Sequence, residues 1–258
     1  MNKIFNEDML VTTNRNELLN AIDCVVTSPP YNTSRSGASD DYNRRYNSYV
    51  DNLSDEKYIE KTIEFFNGYD KILKKNGVIC YNISYSSERT HLIWLVIAEI
   101  IRKTNFTTAD CIGIVWKKSS AIPNNRSKNK LTRICEFVFI FVRKKELDTF
   151  FSNKKVVSVI EKTGQNNYEN IFNFIEAKNN DGSNSLNKAT FSTELVTKLL
   201  DMYCPFNGLV YDSFMGIGTT AKAALLSGRN FYGSELDENQ VEYANNAINK
   251  ILNENKFF

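Results

Sequence analysis

The sequence predicts a single α/β domain over residues 1–258, built on a doubly wound, mostly parallel sheet. Three observations predict it. Short apolar runs of strand length alternate with longer helical stretches, the pattern of a parallel sheet covered on both faces. Near the C-terminus, "LVYDSFMGIGTTAKAALLSGRNFYGSELD" reads as strand, Gly-x-Gly turn, helix and second strand. A chain of 258 residues can fill one large core but not two ordinary domains with a linker.

The elements follow in order. The run "DCVVT" at 23–27 is a buried strand, and Pro29 and Pro30 end it because neither can donate to a ladder. A helix is expected over 55–73 and a strand over 78–83. "HLIWLVIAEII" gives a buried helix at 91–103, well short of a membrane span. Strands at 110–116 and 135–142 follow. Ser192, with Glu194 in the first turn, opens a helix at 192–203. A strand at 209–212, a helix at 219–227, a strand at 230–234 and a helix at 238–252 complete the domain.

Two polar stretches interrupt this alternation. Residues 33–54 follow the prolines directly and carry Arg35, Arg44 and Arg45 among tyrosines and small polar residues; a loop of that length is read as mobile and functional. Residues 144–190 form a second, Asn-rich insertion. The formal net charge of +2 hides an uneven distribution. Lys117 to Lys155 holds eleven Lys/Arg against three Asp/Glu, an excess of +8 that leaves −6 for the remainder. Its segment "WKKSSAIPNNRSKNKLTR", with Arg126, Lys128, Lys130 and Arg133, suits phosphate contacts, so nucleic acid is the expected partner.

The composition also excludes. The five cysteines contain no C-x-x-C pair and sit mostly in apolar runs, as core thiols of a reducing compartment do. A single histidine, His91, heads an apolar helix, which argues against a metal site and against a Ser-His-Asp triad. The first ten residues do not read as a signal peptide, and the expected location is the cytoplasm.

The glycine turn carries chemistry. Gly216 and Gly218 let backbone approach a ligand, the helix opening at Thr219 offers free N–H groups, and Glu235, nineteen residues after Gly216, can bind two ribose hydroxyls. This unit alone does not separate NAD from other adenosine-containing cofactors. Only 23 residues follow Glu235, so the rest of the sheet must come from the N-terminal half, where "TSPPYN" stands.

A proline-aromatic turn first and a glycine turn last resemble the β-class amino-DNA methyltransferases of restriction-modification systems. "TSPPYN" is similar to their catalytic motif, "DSFMGIGTT" to their cofactor motif and "GSELD" to their acidic ribose-binding strand; weaker likenesses extend over most of the chain. Ser213, and Asn187 with Lys188 before "ATF", depart from the family's usual residues. The resemblance implies a circularly permuted, seven-stranded sheet of the S-adenosyl-L-methionine (AdoMet)-dependent type. It implies AdoMet as cofactor, double-stranded DNA as partner, a homodimer as one assembly, and neither metal nor membrane. It places Asp8, Thr27, Phe191, Ser192, Asp212, Phe214, Gly216, Gly218, Thr219, Thr220 and Glu235 around the cofactor. Asp8 could bind the adenine amine or cap a helix, Phe214 could touch cofactor or core, and Asp212 could touch the methionine moiety or orient the glycine turn.

The resemblance makes Ser28, Pro29, Pro30 and Tyr31 catalytic. An aromatic amine is a weak nucleophile and a paired base is out of reach, so the base must be extruded. Tyr31 would then stack on it by its ring face, while the Ser28 hydroxyl and the Pro29 carbonyl accept from the amine and aim its lone pair at the sulfonium methyl. Residues 33–54 and 144–190 become DNA-facing loop and target-recognition insertion, with Arg35, Arg44, Arg45, Arg126, Lys128, Lys130 and Arg133 on DNA. Family members with Ser at the first motif position mostly modify cytosine N4, and adenine N6 is the alternative. More distant alternatives are an NAD-dependent oxidoreductase and a non-catalytic nucleic-acid-binding module.

Overall fold

In the computed structural model, residues 1–32, 53–84, 89–110, 112–122, 128–182, 186–187 and 190–254 are described. The strands are β1 (Lys3–Phe5), β2 (Ile22–Thr27), β3 (Leu73–Ile83), β4 (Phe106–Thr108), β5 (Ile114–Ile122), β6 (Arg133–Arg143), β7 (Val156–Val159), β8 (Asn166–Tyr168), β9 (Phe174–Ala177), β10 (Leu209–Asp212) and β11 (Asn230–Ser234). The helices are α1 (Met9–Thr12), α2 (Asp55–Ile72), α3 (Leu92–Lys103), α4 (Thr193–Tyr203), α5 (Thr219–Leu226) and α6 (Glu238–Glu254). Among the described residues, one nine-stranded sheet runs in the order β1-β11-β10-β2-β3-β6-β5-β9, with β4 also pairing β6.

Neighbours from β1 to β3 are parallel. β6 is antiparallel to β3, β4 and β5. The expected seven strands are thus the consecutive path from β1 to β5, and β9 and β4 add two short strands to it. Side-chain alternation explains the double winding. Cys24 and Val26 of β2, Val78 and Cys80 of β3, and Val138, Ile140 and Val142 of β6 bury one face under α4, α5 and α6. Their neighbours Val25, Ile79, Tyr81, Phe139 and Phe141 bury the other under α2 and α3.

Several boundaries differ from expectation. β5 starts at Ile114 rather than 110, because Gly113 adopts φ 69° against the Val138 carbonyl and turns the chain there. It then continues through the polar "KKSSAI", held by β6 and β9 on its two sides. The 144–190 insertion also divides: β7 and β8 form a separate ribbon, whereas β9 joins the main sheet. Part of the basic stretch serves the fold. Arg143 is buried, bonds Asp70 at 2.5 Å and caps the carbonyls of Asp70, Leu73 and Lys74.

The topology brings chemistry to one edge. The carboxyl ends of β2, β3, β10 and β11 lie together, and the start of antiparallel β6 stands beside the end of β3. Open α/β sheets bind ligands at that edge.

Candidate active site

The glycine turn leaves β10 at Asp212, a fully buried carboxylate. Its Oδ1 accepts from Thr27 Oγ1 at 2.8 Å and from the Phe214 N–H at 3.0 Å, and its Oδ2 from Thr220 Oγ1 at 2.6 Å. Burial pushes its pKa up to about 6 despite these donors, which favour the charged form. Asp212 therefore orients the turn, tying its start to the helix that follows.

The two glycines have different reasons to be glycine. Gly218, at φ 89°, caps α5, and a Cβ there would lie 2.9 Å from the Ala244 Cβ; its bareness lets α5 pack on α6. Gly216, at φ 54°, faces flexible side chains instead: a Cβ there would lie 3.0 Å from Asn187 Nδ2 and 3.4 Å from Gln240 Oε1. Glu235 supports it: Oε2 accepts from the Gly216 N–H at 2.8 Å and Oε1 from the Asp237 N–H at 2.9 Å. Burial raises the Glu235 carboxyl above its ordinary value.

The proline turn follows β2 directly. The Pro30 carbonyl accepts from Tyr58 Oη at 2.8 Å, and the amide of Asn32 bonds both the N–H and the C=O of Leu53 at 2.8 Å. Those bonds clamp the chain where residues 33–52 leave and return. Ser28 Oγ lies 2.8 Å from Tyr31 Oη, which lies 3.1 Å from Asn82 Oδ1 and 3.4 Å from Glu136 Oε2. The Tyr31 hydroxyl is thus engaged by three side chains.

Both turns open on one pocket of about 890 Å³, its mouth included. Ser28 and Pro30 line it beside Phe214, Met215, Gly216 and Thr219, with Asp8, Glu235 and Asp237 as carboxylates and Phe65 and Phe191 as rings. Apolar rings, a bare glycine and carboxylates fit a cationic adenosine-bearing ligand.

The chain matches the DNA methylase family, of N6/N4 type, over residues 22–246. It belongs to that family. It is an amino-group DNA methyltransferase, acting on cytosine N4 or adenine N6. Type II methyltransferase M.BglII of Bacillus subtilis is 25% identical over 285 aligned residues, 100% of this chain and 72% of that protein. Orphan methyltransferase M.BamHII of Bacillus amyloliquefaciens is 24% identical, covering 90% of each. Among solved structures, PvuII DNA methyltransferase (cytosine-N4-specific) superimposes with a TM-score of 0.70 at 18% identity, covering 98% of this chain and 92% of that one. The M1.HpyAVI–SAM complex does so at 0.62 and 20%, covering 96% and 100%.

In this DNA methylase, seven of the eleven residues expected around the cofactor line the pocket: Asp8, Phe191, Asp212, Phe214, Gly216, Thr219 and Glu235. The other four stand behind it. Thr27 and Thr220 donate to Asp212, Gly218 packs on α6, and the Ser192 hydroxyl caps α4 by accepting from the Leu195 N–H. Asp8 caps α1, accepting from the Leu10 N–H at 2.8 Å, and it also lines the pocket. Phe214 likewise meets Phe65 edge-on at 5.2 Å and the pocket. Ser213 also lines the pocket, and its hydroxyl joins Tyr69 Oη at 2.5 Å and Thr27 Oγ1 at 3.0 Å.

Of the expected DNA contacts, Arg35, Arg44, Arg45 and Arg126 lie outside the described residues. Lys128 and Lys130 are exposed, and Arg133 opens β6. Lys117 and Lys118, from the same basic run, pair with Glu176 and Glu136 instead. Among the described residues there is no His/Cys/Asp/Glu cluster fit for a metal, and no helix long and apolar enough to cross a membrane.

Proposed function

We propose that this chain methylates N4 of a cytosine extruded from double-stranded DNA. The observation that carries this reading is the shared pocket: Ser28 and Pro30 open on the same space as Gly216 and Glu235. The methyl donor is S-adenosyl-L-methionine, which supplies an electrophilic methyl on a sulfonium. Glu235 would hold its ribose, Gly216 would admit its backbone-close portion, and Phe214 and Phe191 would flank it.

The proline turn does the rest. Ser28 Oγ and the Pro29 carbonyl accept from the exocyclic amine and draw density onto its nitrogen, while Tyr31 stacks on the base. The Tyr58 and Asn32 clamps hold that turn rigid, so the lone pair keeps its direction toward the methyl. Ser28 supports cytosine because family members with Ser at this place mostly modify cytosine N4, and the PvuII enzyme, cytosine-N4-specific, shares the fold. Residues 33–54, together with 144–190, serve as DNA-facing loop and target-recognition segment.

Nucleoside mass spectrometry of DNA treated with the enzyme and AdoMet tests the base. N4-methylcytosine is expected; N6-methyladenine alone would overturn the choice of base and leave the rest. Glu235→Ala tests the cofactor seat, with a 10- to 100-fold weaker AdoMet Kd expected, on about 1.5–3 kcal/mol for bonds to a charged group. Unchanged calorimetric affinity would move the seat elsewhere.

A further inference from the structure

We propose that Glu136 receives the proton that the target amine must lose, through Ser28 and Tyr31. The inference rests on the amine sitting at Ser28, as in the proposed function. Four adjacent strands contribute to the chain of contacts: Ser28 follows β2, Asn82 lies on β3, Glu136 on β6 and Lys118 on β5. Tyr31 Oη sits among them, 2.8 Å from Ser28 Oγ, 3.1 Å from Asn82 Oδ1 and 3.4 Å from Glu136 Oε2.

The direction of each bond follows from the donors present. Asn82 Nδ2 donates to the Phe137 carbonyl at 3.0 Å, which turns its oxygen toward Tyr31. A carboxylate and an amide oxygen only accept, so the phenol offers its hydrogen to them and receives one from Ser28. The Ser28 oxygen then has lone pairs left for an amine in the pocket it lines. Of the two acceptors beyond Tyr31, the amide cannot keep a proton and the carboxylate can.

Glu136 is otherwise hard to explain. Its side chain is 13% exposed and its partner Lys118, whose ammonium lies 4.7 Å from the Trp116 ring centroid, 12%. A sheltered ion pair is a poor source of stability compared with apolar packing. β5 and β6 are already held by their backbone ladder, with Trp116 opposite Glu136. Glu136 Oε1 faces Lys118, and Oε2 is the atom nearest Tyr31.

In the transfer, the nitrogen–carbon bond forms as the carbon–sulfur bond breaks, its electron pair leaving with sulfur. As positive charge builds on the nitrogen in that same step it becomes strongly acidic, because its electron pair is needed by the ring. Its proton passes to Ser28 Oγ, the Ser28 hydroxyl proton to Tyr31 Oη, and the Tyr31 proton to Glu136 Oε2. One proton has crossed the network, the carboxylate is neutral, and nothing is oxidised. Glu136, acting through Tyr31, is a positioning and relay residue and does not touch the base.

Rapid-quench single-turnover methylation of duplex DNA, with enzyme and radiolabelled AdoMet in mixtures of light and heavy water, tests the relay. The native rate should bow downward with deuterium fraction, as several protons move together. Glu136→Gln should slow transfer by roughly 100-fold and straighten that dependence, with AdoMet affinity by calorimetry unchanged. Glu136→Asp should restore part of the rate and the curvature. Tyr31→Phe should also straighten the dependence. A native rate in Glu136→Gln, or a linear dependence in the native enzyme, would overturn the relay. If Tyr31→Ala transferred methyl at the native rate, the siting of the amine at the proline turn would fail as well; if it were inactive while Glu136→Gln stayed native, the relay alone would fail.

Discussion

Thr27 Oγ1 lies 2.8 Å from Asp212 Oδ1, so the strand that ends in the proline turn is bonded to the strand that ends in the glycine turn. The two residues are 185 positions apart and both fully buried. That bond joins the two halves of the pocket just beyond the β10–β2 ladder. Thr27→Val keeps the shape and removes the donor from a buried carboxylate, with a loss of about 1–3 kcal/mol expected in urea unfolding. AdoMet affinity should fall with it, and Thr27→Ser should recover most of both.

Asp212 also makes stability depend on pH. Burial lifts its carboxyl from the ordinary 3.8 to about 6, more than the bonds from Thr220, Phe214 and Thr27 lower it. Between those values the native state holds a proton that the unfolded chain has released. The contribution is complete below pH 4 and is lost as pH rises through 6, in total about 3 kcal/mol. Unfolding free energies of native protein and Asp212→Asn, measured from pH 4 to 7.5, should show the native curve falling relative to the variant. The subtraction removes Glu235, whose raised pKa tilts both curves in the same direction.

The glycine turn permits a separation of stability from binding. Gly218→Ala would press a Cβ to 2.9 Å from the Ala244 Cβ at φ 89°, against a neighbouring helix that cannot easily move. Gly216→Ala would place a Cβ 3.0 Å from Asn187 Nδ2, at the end of a side chain, on the pocket surface. Both carry about 1 kcal/mol for the left-handed backbone. Gly218→Ala should lower Tm more, while Gly216→Ala should weaken AdoMet more; the reverse order in thermal melts and calorimetry would exchange their roles.

The sequence made legible what short-range chemistry dictates. β10 and β11 were readable to the residue because each is an apolar run stopped by polar or glycine residues. The three-residue β1 and β4 are too short to show a period, although β1 matters: its Phe5 carbonyl receives the Glu235 N–H at 3.0 Å. Pocket residues supplied by motifs were found, whereas Lys61 and Phe65 of α2, Thr190 and Gln240 were not. Nothing in their local sequence sets them apart from a helix face or a loop, and only the crossing of strands brings them in. The Glu136–Lys118 pair was hidden similarly, inside a run read as uniformly basic.

That basic run yields the last prediction. Lys117, Lys118 and Arg143 pair with Glu176, Glu136 and Asp70 within the fold. Lys128 and Lys130 are exposed just before β6, at the sheet edge that carries the proline turn. A cation seated on a phosphate releases counterions, and removing one such cation lowers the slope of log affinity against log salt by about 0.9. Lys128→Glu with Lys130→Glu should therefore weaken DNA binding and flatten that slope by about 2. Reversing Lys144, whose ammonium bonds the Thr104 carbonyl at the opposite edge, should leave the slope unchanged. Equal slopes for all three proteins, measured by fluorescence anisotropy between low and physiological salt, would place the DNA elsewhere on the surface.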